Sequence, residues 1–166
     1  RKDFLKTLSL AGIALGLPAS TMTGHRFRPT VSDSCVLIPT ETAGPFPLDL
    51  TTNTFYFRQD VREDRAGVQF NVRLKIIGNV NCEPMPNVRV NIWHCDKDGN
   101  YSGYGTQTGL TYLRGYQMTD ANGEVEFIAI VPGWYNGRVC HIHFQVYVSS
   151  SYSVVSQFAF DQATLN

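Results

Sequence analysis

The sequence has no surplus of either charge: fourteen Lys and Arg stand against fourteen Asp and Glu, for a formal net charge of zero. Without a basic excess, the chain lacks the electrostatic footprint that would draw nucleic acid or an anionic membrane surface. Neither is expected as a partner. No apolar run reaches the roughly 20 residues a transmembrane helix needs, so no stable membrane span is expected in the mature chain. The four cysteines contain no Cys-x-x-Cys pair, and their long, irregular spacings speak against a thiolate zinc site. Internal repeats and low-complexity stretches are absent, and no segment past the amino-terminal stretch holds a helical period. A solenoid, a coiled coil and a helix bundle are thereby set aside.

What is present suits one globular domain. At 166 residues, with 43% apolar and 17% charged residues, the chain can bury a single core. Arg1, Lys2 and Lys6 precede an apolar run from Leu8 to Leu17, which has the length of a signal-peptide core. Residues 1–24 are therefore expected to form an export signal. Its start, Arg1-Lys2-Asp3-Phe4-Leu5-Lys6, resembles a twin-arginine motif with lysine in the second basic position. A periplasmic or extracellular location leads us to expect one or two disulfides among Cys35, Cys82, Cys95 and Cys140, with the pairing open.

Residues 25–60 are rich in Pro, Thr, Ser and Asp and poor in periodic apolar positions, which predicts an extended arm. Beyond it Val68, Phe70, Val72, Leu74 and Ile76 alternate with mostly polar neighbours, the period of a strand with one buried face. Val88, Val90 and Ile92 repeat the pattern, as do Val125 and Phe127, and then Ile142, Phe144, Val146 and Val148. Asp98-Gly99, Asn122-Gly123, Pro132-Gly133 and Asn136-Gly137 lie between these runs as turn signals. Residues 61–166 therefore read as an all-β sandwich or barrel.

The sharpest feature is Cys140-His141-Ile142-His143-Phe144. If Ile142, Phe144 and Val146 fill the core, His141 and His143 project together from the opposite face of the strand, where two imidazoles can chelate one ion. A bare His-x-His is more often a pair of half-exposed histidines. Its company changes the odds: Ile130-Val131-Pro132-Gly133-Trp134-Tyr135-Asn136-Gly137-Arg138 lies just upstream, and Trp93-His94-Cys95-Asp96-Lys97-Asp98-Gly99-Asn100-Tyr101 farther back. With Leu113-Arg114-Gly115-Tyr116-Gln117-Met118-Thr119-Asp120-Ala121-Asn122-Gly123, these segments resemble the intradiol ring-cleavage dioxygenases, in particular the protocatechuate 3,4-dioxygenase group and its exported single-domain relatives.

The resemblance covers roughly residues 35–161 and implies the β-sandwich of that family, followed by a further segment after Asn166. It implies ferric iron, Fe3+, held by Tyr101, Tyr135, His141 and His143. Two phenolates and a hydroxide would leave a buried trivalent centre without net charge. It further implies a small-molecule catechol-type substrate and O2, with the ring opened between its hydroxylated carbons to a muconate-type dicarboxylic acid. Tyr135 would give way to the substrate, and Arg138 would stabilise charge developing on the ring. Thr42, Gly44 and Pro45, in Thr42-Ala43-Gly44-Pro45-Phe46, match a substrate-lining loop, and Gln157 matches a glutamine beside the iron. His94 is left as a neighbour of the ligand set. A homo-oligomer stays open. Two other readings stand beside this one: a noncatalytic transthyretin-like binding module, and a ferrous or zinc enzyme pairing His141 and His143 with Asp120 or Glu124.

Overall fold

The computed structural model describes residues 35–150 and 152–161, all within one compact unit, Ser32–Asn166. The expected export signal over residues 1–24 and the first part of the arm, residues 25–34, lie outside the described residues. Among the described residues there are six strands: β1 Gln69–Lys75, β2 Arg89–Trp93, β3 Arg114–Met118, β4 Glu124–Ile130, β5 His141–Tyr147 and β6 Ser153–Ala159. Two single 3-10 turns, Thr54–Tyr56 and Gly105–Gln107, are the helical elements among them. No helix of the described residues is long and apolar enough to cross a membrane.

The strands form two layers. β1 pairs antiparallel with β4, and the second sheet has the order β3-β2-β5-β6, antiparallel throughout. Alternation explains the packing: Val72 of β1 and Val125, Phe127 and Ala129 of β4 turn inward against Val90, Ile92, Ile142, Phe144 and Val146. Burying each such side chain is worth about 1.5–3 kcal/mol before chain entropy is subtracted. The all-β sandwich expected from the period-two runs is what forms.

β2 and β5 depart from the half-buried pattern. Their outer faces are covered too, so that Asn91, Trp93, His141 and His143 are buried along with the core residues between them. Part of that cover is the arm, which runs as irregular extended chain up to the turn at Thr54. The Glu41 N–H donates to the Val155 carbonyl at 2.9 Å, and Ser156 Oγ donates to the Pro39 carbonyl at 2.8 Å, fastening the arm to β6. A disulfide between Cys35 and Cys82 holds the first described residue of the arm to the loop after β1, while Cys95 and Cys140 are free and buried. One of the one or two expected disulfides therefore forms among the described residues.

Candidate active site

The register of the four-stranded sheet builds the site. Arg114 of β3 lies opposite Trp93 of β2, Trp93 opposite His143 of β5, and His143 opposite Gln157 of β6. Residues directly opposite in antiparallel pairs share a face, so one row of side chains crosses all four strands on the side away from the core. His141 stands beside His143 on that face, and the two Nε2 atoms are 3.1 Å apart. The half-exposed alternative does not hold: His141 is 2% and His143 0% exposed.

Tyr101 reaches the pair from the turn that follows β2. The Asp96 carboxylate accepts the N–H groups of Asp98 and Asn100 at 3.0 and 2.9 Å, which closes the turn and sends Tyr101 back over the sheet. Its hydroxyl stops 3.3 Å from His141 Nε2. The loop carrying Tyr135 packs on the same turn. Gly133 donates its N–H to the Asp96 carbonyl at 3.0 Å, and a Cβ on Gly99, at φ +85°, would lie 2.6 Å from the Trp134 carbonyl oxygen. Only glycine fits there. The Tyr135 ring lies 5.9 Å from the Tyr101 and His141 rings. The two phenol hydroxyls approach each other without a well-formed hydrogen bond, and Tyr135 Oη is buried with no partner. The four side chains proposed as ligands are thus brought together from three separate stretches of chain.

Burial holds both imidazoles neutral. His143 is lowered to about 3 by desolvation, with His141 and Arg138 adding repulsion, and His141 is lowered chiefly by burial. Burial pushes the Tyr101 phenol well above its ordinary value, with Cys95 and Tyr135 adding to the shift. His141 Nδ1 is 2.6 Å from the Val139 carbonyl, which can only accept, so the ring proton sits on Nδ1 and Nε2 presents a lone pair. Imidazole lone pairs and buried phenol oxygens gathered at one point form a donor set that a cation can occupy. Imidazole nitrogen with phenolate oxygen suits a hard metal ion, which would also ionise the phenols. The residues present fit such an ion.

The arm closes over this centre. Gly44 lies at φ +68° against His143, and a Cβ there would come 3.1 Å from the imidazole Cε1. Its N–H donates to Thr42 Oγ1 at 3.1 Å, and Pro45 makes the bend that places Phe46 on Tyr101, with ring centroids 4.5 Å apart. Gln157, expected to meet a ligand or the substrate, is occupied otherwise: its Oε1 accepts from Arg138 Nη2 at 2.5 Å and its Nε2 donates to the Thr42 carbonyl at 2.9 Å. Trp93, stacked on His143 at 4.9 Å, and Phe46 and Arg114 belong to the site as well. The places of Trp93 and Arg114 depend on cross-strand register, which no local pattern announces, whereas Phe46 closes the Thr42-Ala43-Gly44-Pro45-Phe46 motif of the arm. His94 is buried, with Nδ1 2.8 Å from the Cys95 carbonyl and Nε2 unpartnered, and desolvation lowers it to about 4.

The two-histidine, one-carboxylate alternative has no carboxylate here. Among the described residues no group of three His, Cys, Asp or Glu is placed to hold a metal ion. Asp120 instead accepts the N–H groups of Asn122 and Glu124 in the β3–β4 turn, and Glu124 pairs with Lys75 at 3.4 Å.

The β-sandwich thus gathers two buried phenol oxygens and two neutral imidazoles at one point, a set of groups able to hold a metal ion. Comparison with known proteins gives the family: the chain belongs to the intradiol ring-cleavage dioxygenases. A family model described as dioxygenase matches residues 49–165. The solved intradiol ring-cleavage dioxygenase from Tetranychus urticae is similar at 31% identity and a TM-score of 0.73, over 79% of this chain and 68% of that one. The dioxygenase domain of a dioxygenase carbohydrate-binding protein fusion from Streptomyces sp. SirexAA-E is similar at 27% identity and a TM-score of 0.62, over 75% of each chain. Hydroxyquinol 1,2-dioxygenase of Corynebacterium glutamicum is 39% identical over 49 residues, which are 30% of this chain and 16% of that protein.

Proposed function

We propose that the chain is a non-haem ferric dioxygenase that opens catechol-type rings between the two hydroxylated carbons, giving muconate-type dicarboxylic acids. The observation that carries the reading is the convergence on His141 Nε2 of Tyr101 Oη at 3.3 Å and His143 Nε2 at 3.1 Å, with the buried Tyr135 Oη of the neighbouring loop left without a partner. When bound, ferric iron would supply a Lewis-acidic centre that takes up the catecholate oxygens and draws electron density from the ring, which readies the ring for O2. Tyr101, Tyr135, His141 and His143 are its ligands in this reading.

The chain's own residues then divide the work. His141 and His143 remain neutral donors because burial denies them a proton. Tyr135 sits on a loop and its Oη has no hydrogen-bond partner to hold it, so in this reading its phenolate is the one to give way to an incoming catechol and take up its proton. Arg138, gripped by Gln157, presents a fixed guanidinium for negative charge developing on the ring. Gly44 and Phe46 bring the arm close and keep water from the buried ligands.

Purified protein loaded with ferric iron should show a visible tyrosinate-to-iron charge-transfer band and consume O2 with a catechol. Tyr101→Phe and His143→Ala should lower that uptake roughly 100-fold or more while the fold persists. A colourless ferric protein, or uptake unchanged in both variants, would end the proposal. A panel of catechol, protocatechuate, hydroxyquinol and chlorocatechols with product identification sets the ring preference.

A further inference from the structure

Arg114 is the one member of the site row with a permanent charge, and it is only 1% exposed. Among the described residues no carboxylate pairs with it; the ion pairs involve Arg58, Arg62, Arg65, Arg73, Lys75 and Lys97. Its Nε and Nη2 donate to the Ser102 carbonyl at 3.1 and 2.8 Å, and Nε also to Ser102 Oγ at 3.0 Å. Neutral oxygens accept from Nε and Nη2 but leave the charge uncompensated, and burying an ion in that condition is costly.

The groups around the guanidinium are tyrosines. Its central carbon lies 5.9 Å from the Tyr101 ring centroid and 5.5 Å from that of Tyr104. Tyr104 donates its hydroxyl to the Pro47 carbonyl. Tyr112, whose carbonyl accepts from Ser102 Oγ, donates its hydroxyl to Gln107 Oε1 at 3.1 Å. Of these three tyrosines, Tyr101 alone turns its hydroxyl to the histidine pair. It is also the residue before Ser102, so the side chain that anchors the guanidinium and the phenol beside it are joined through one peptide bond.

We propose that Arg114 is a positioning residue of the metal centre, the buried cation that offsets the charge of the Tyr101 phenolate and tempers how strongly its oxygen donates to the metal. The inference rests on the ferric tyrosinate reading above. It gives Arg114 a part distinct from that of Arg138. Arg138 is partly exposed, on a loop, and held by the neutral amide of Gln157. Arg114 is inside the sheet and faces a ligand.

The test compares ferric-loaded wild type, Arg114→Gln and Arg114→Lys by visible absorption, resonance Raman scattering and redox titration. Removing a fixed cation next to the donor ring raises the energy of its electrons, so in Arg114→Gln the Tyr101 charge-transfer band shifts to longer wavelength and the reduction potential of the metal falls. Arg114→Lys keeps the charge and stays near wild type at neutral pH. If the residue were only a clamp on Ser102, the lysine, which lacks the guanidinium fork, would depart from wild type as far as the glutamine does; that result overturns the proposal, as does an unmoved band and potential in folded Arg114→Gln. Should Arg114→Gln fail to fold, raising the pH of Arg114→Lys removes the same charge inside a folded protein. The band then shifts in the variant and not in wild type, and its failure to do so also overturns the proposal. Absence of the band in wild type would sink the ferric reading instead, so the two failures are told apart.

Discussion

Gln157 has both ends of its amide engaged by the protein, one by the Arg138 guanidinium and one by the Thr42 carbonyl. It therefore links the candidate catalytic arginine to the arm that covers the site. A hydrogen bond to a charged group is worth about 1.5–3 kcal/mol. On the ferric reading proposed above, Gln157→Leu should accordingly leave the charge-transfer colour of iron-loaded protein in place and lower kcat roughly 10- to 100-fold, since each 1.4 kcal/mol is a factor of about ten. Steady-state kinetics beside the visible spectrum checks this; a lost colour would instead make Gln157 a support of the ligands. At this scale the sequence was informative where chemistry is local. His141 and His143 share a strand face by period alone, and the motifs around Tyr101 and Tyr135 carried the family likeness. Trp93 and Arg114 were illegible because they meet the site through pairing between strands distant in sequence, and the second bond of Gln157 because it depends on how the arm packs over β6.

Among the elements, those with clean alternation were read directly: β1 and β4 place polar residues outward and Val72, Val125 and Phe127 inward. β3 and β6 were not singled out as strands from their pattern. β3 buries Arg114 and Gly115, and β6 buries Ser156, so polar or small residues occupy positions where the period-two signal expects apolar ones. The arm is the other element without a pattern, since it is held by backbone hydrogen bonds and by the Cys35–Cys82 disulfide rather than by an apolar stripe. That bond spans 47 residues of sequence, and closing a loop of such length stabilises a fold by about 2–4 kcal/mol. Cys82→Ser should lower the unfolding free energy by about that amount in urea titration. A loss under about 0.5 kcal/mol would mean that the hydrogen bonds to β6 hold the arm by themselves.

For the whole molecule, the three histidines among the described residues act together under acid. His94 is lowered to about 4 and His143 to about 3, each first by desolvation, and His141 is lowered by the same cause. In the unfolded chain all three titrate near the ordinary value of about 6.5. A histidine whose folded value is depressed takes up its proton on unfolding, so its stabilising effect is complete above about pH 6.5 and is lost as pH falls through the window down to the folded value. Each such group adds a slope of about 1.4 kcal/mol per pH unit, and the slopes add. Because acidic and basic residues balance near neutrality, acidification also builds net positive charge while the carboxylates are still ionised. Protein stripped of metal ions should therefore lose stability steeply between about pH 6.5 and 4, with two to three protons taken up per molecule unfolded. Urea titrations at stepped pH would show it, and stability that stays flat from pH 7 to 5 would mean that the histidine cluster opens to water before the fold gives way.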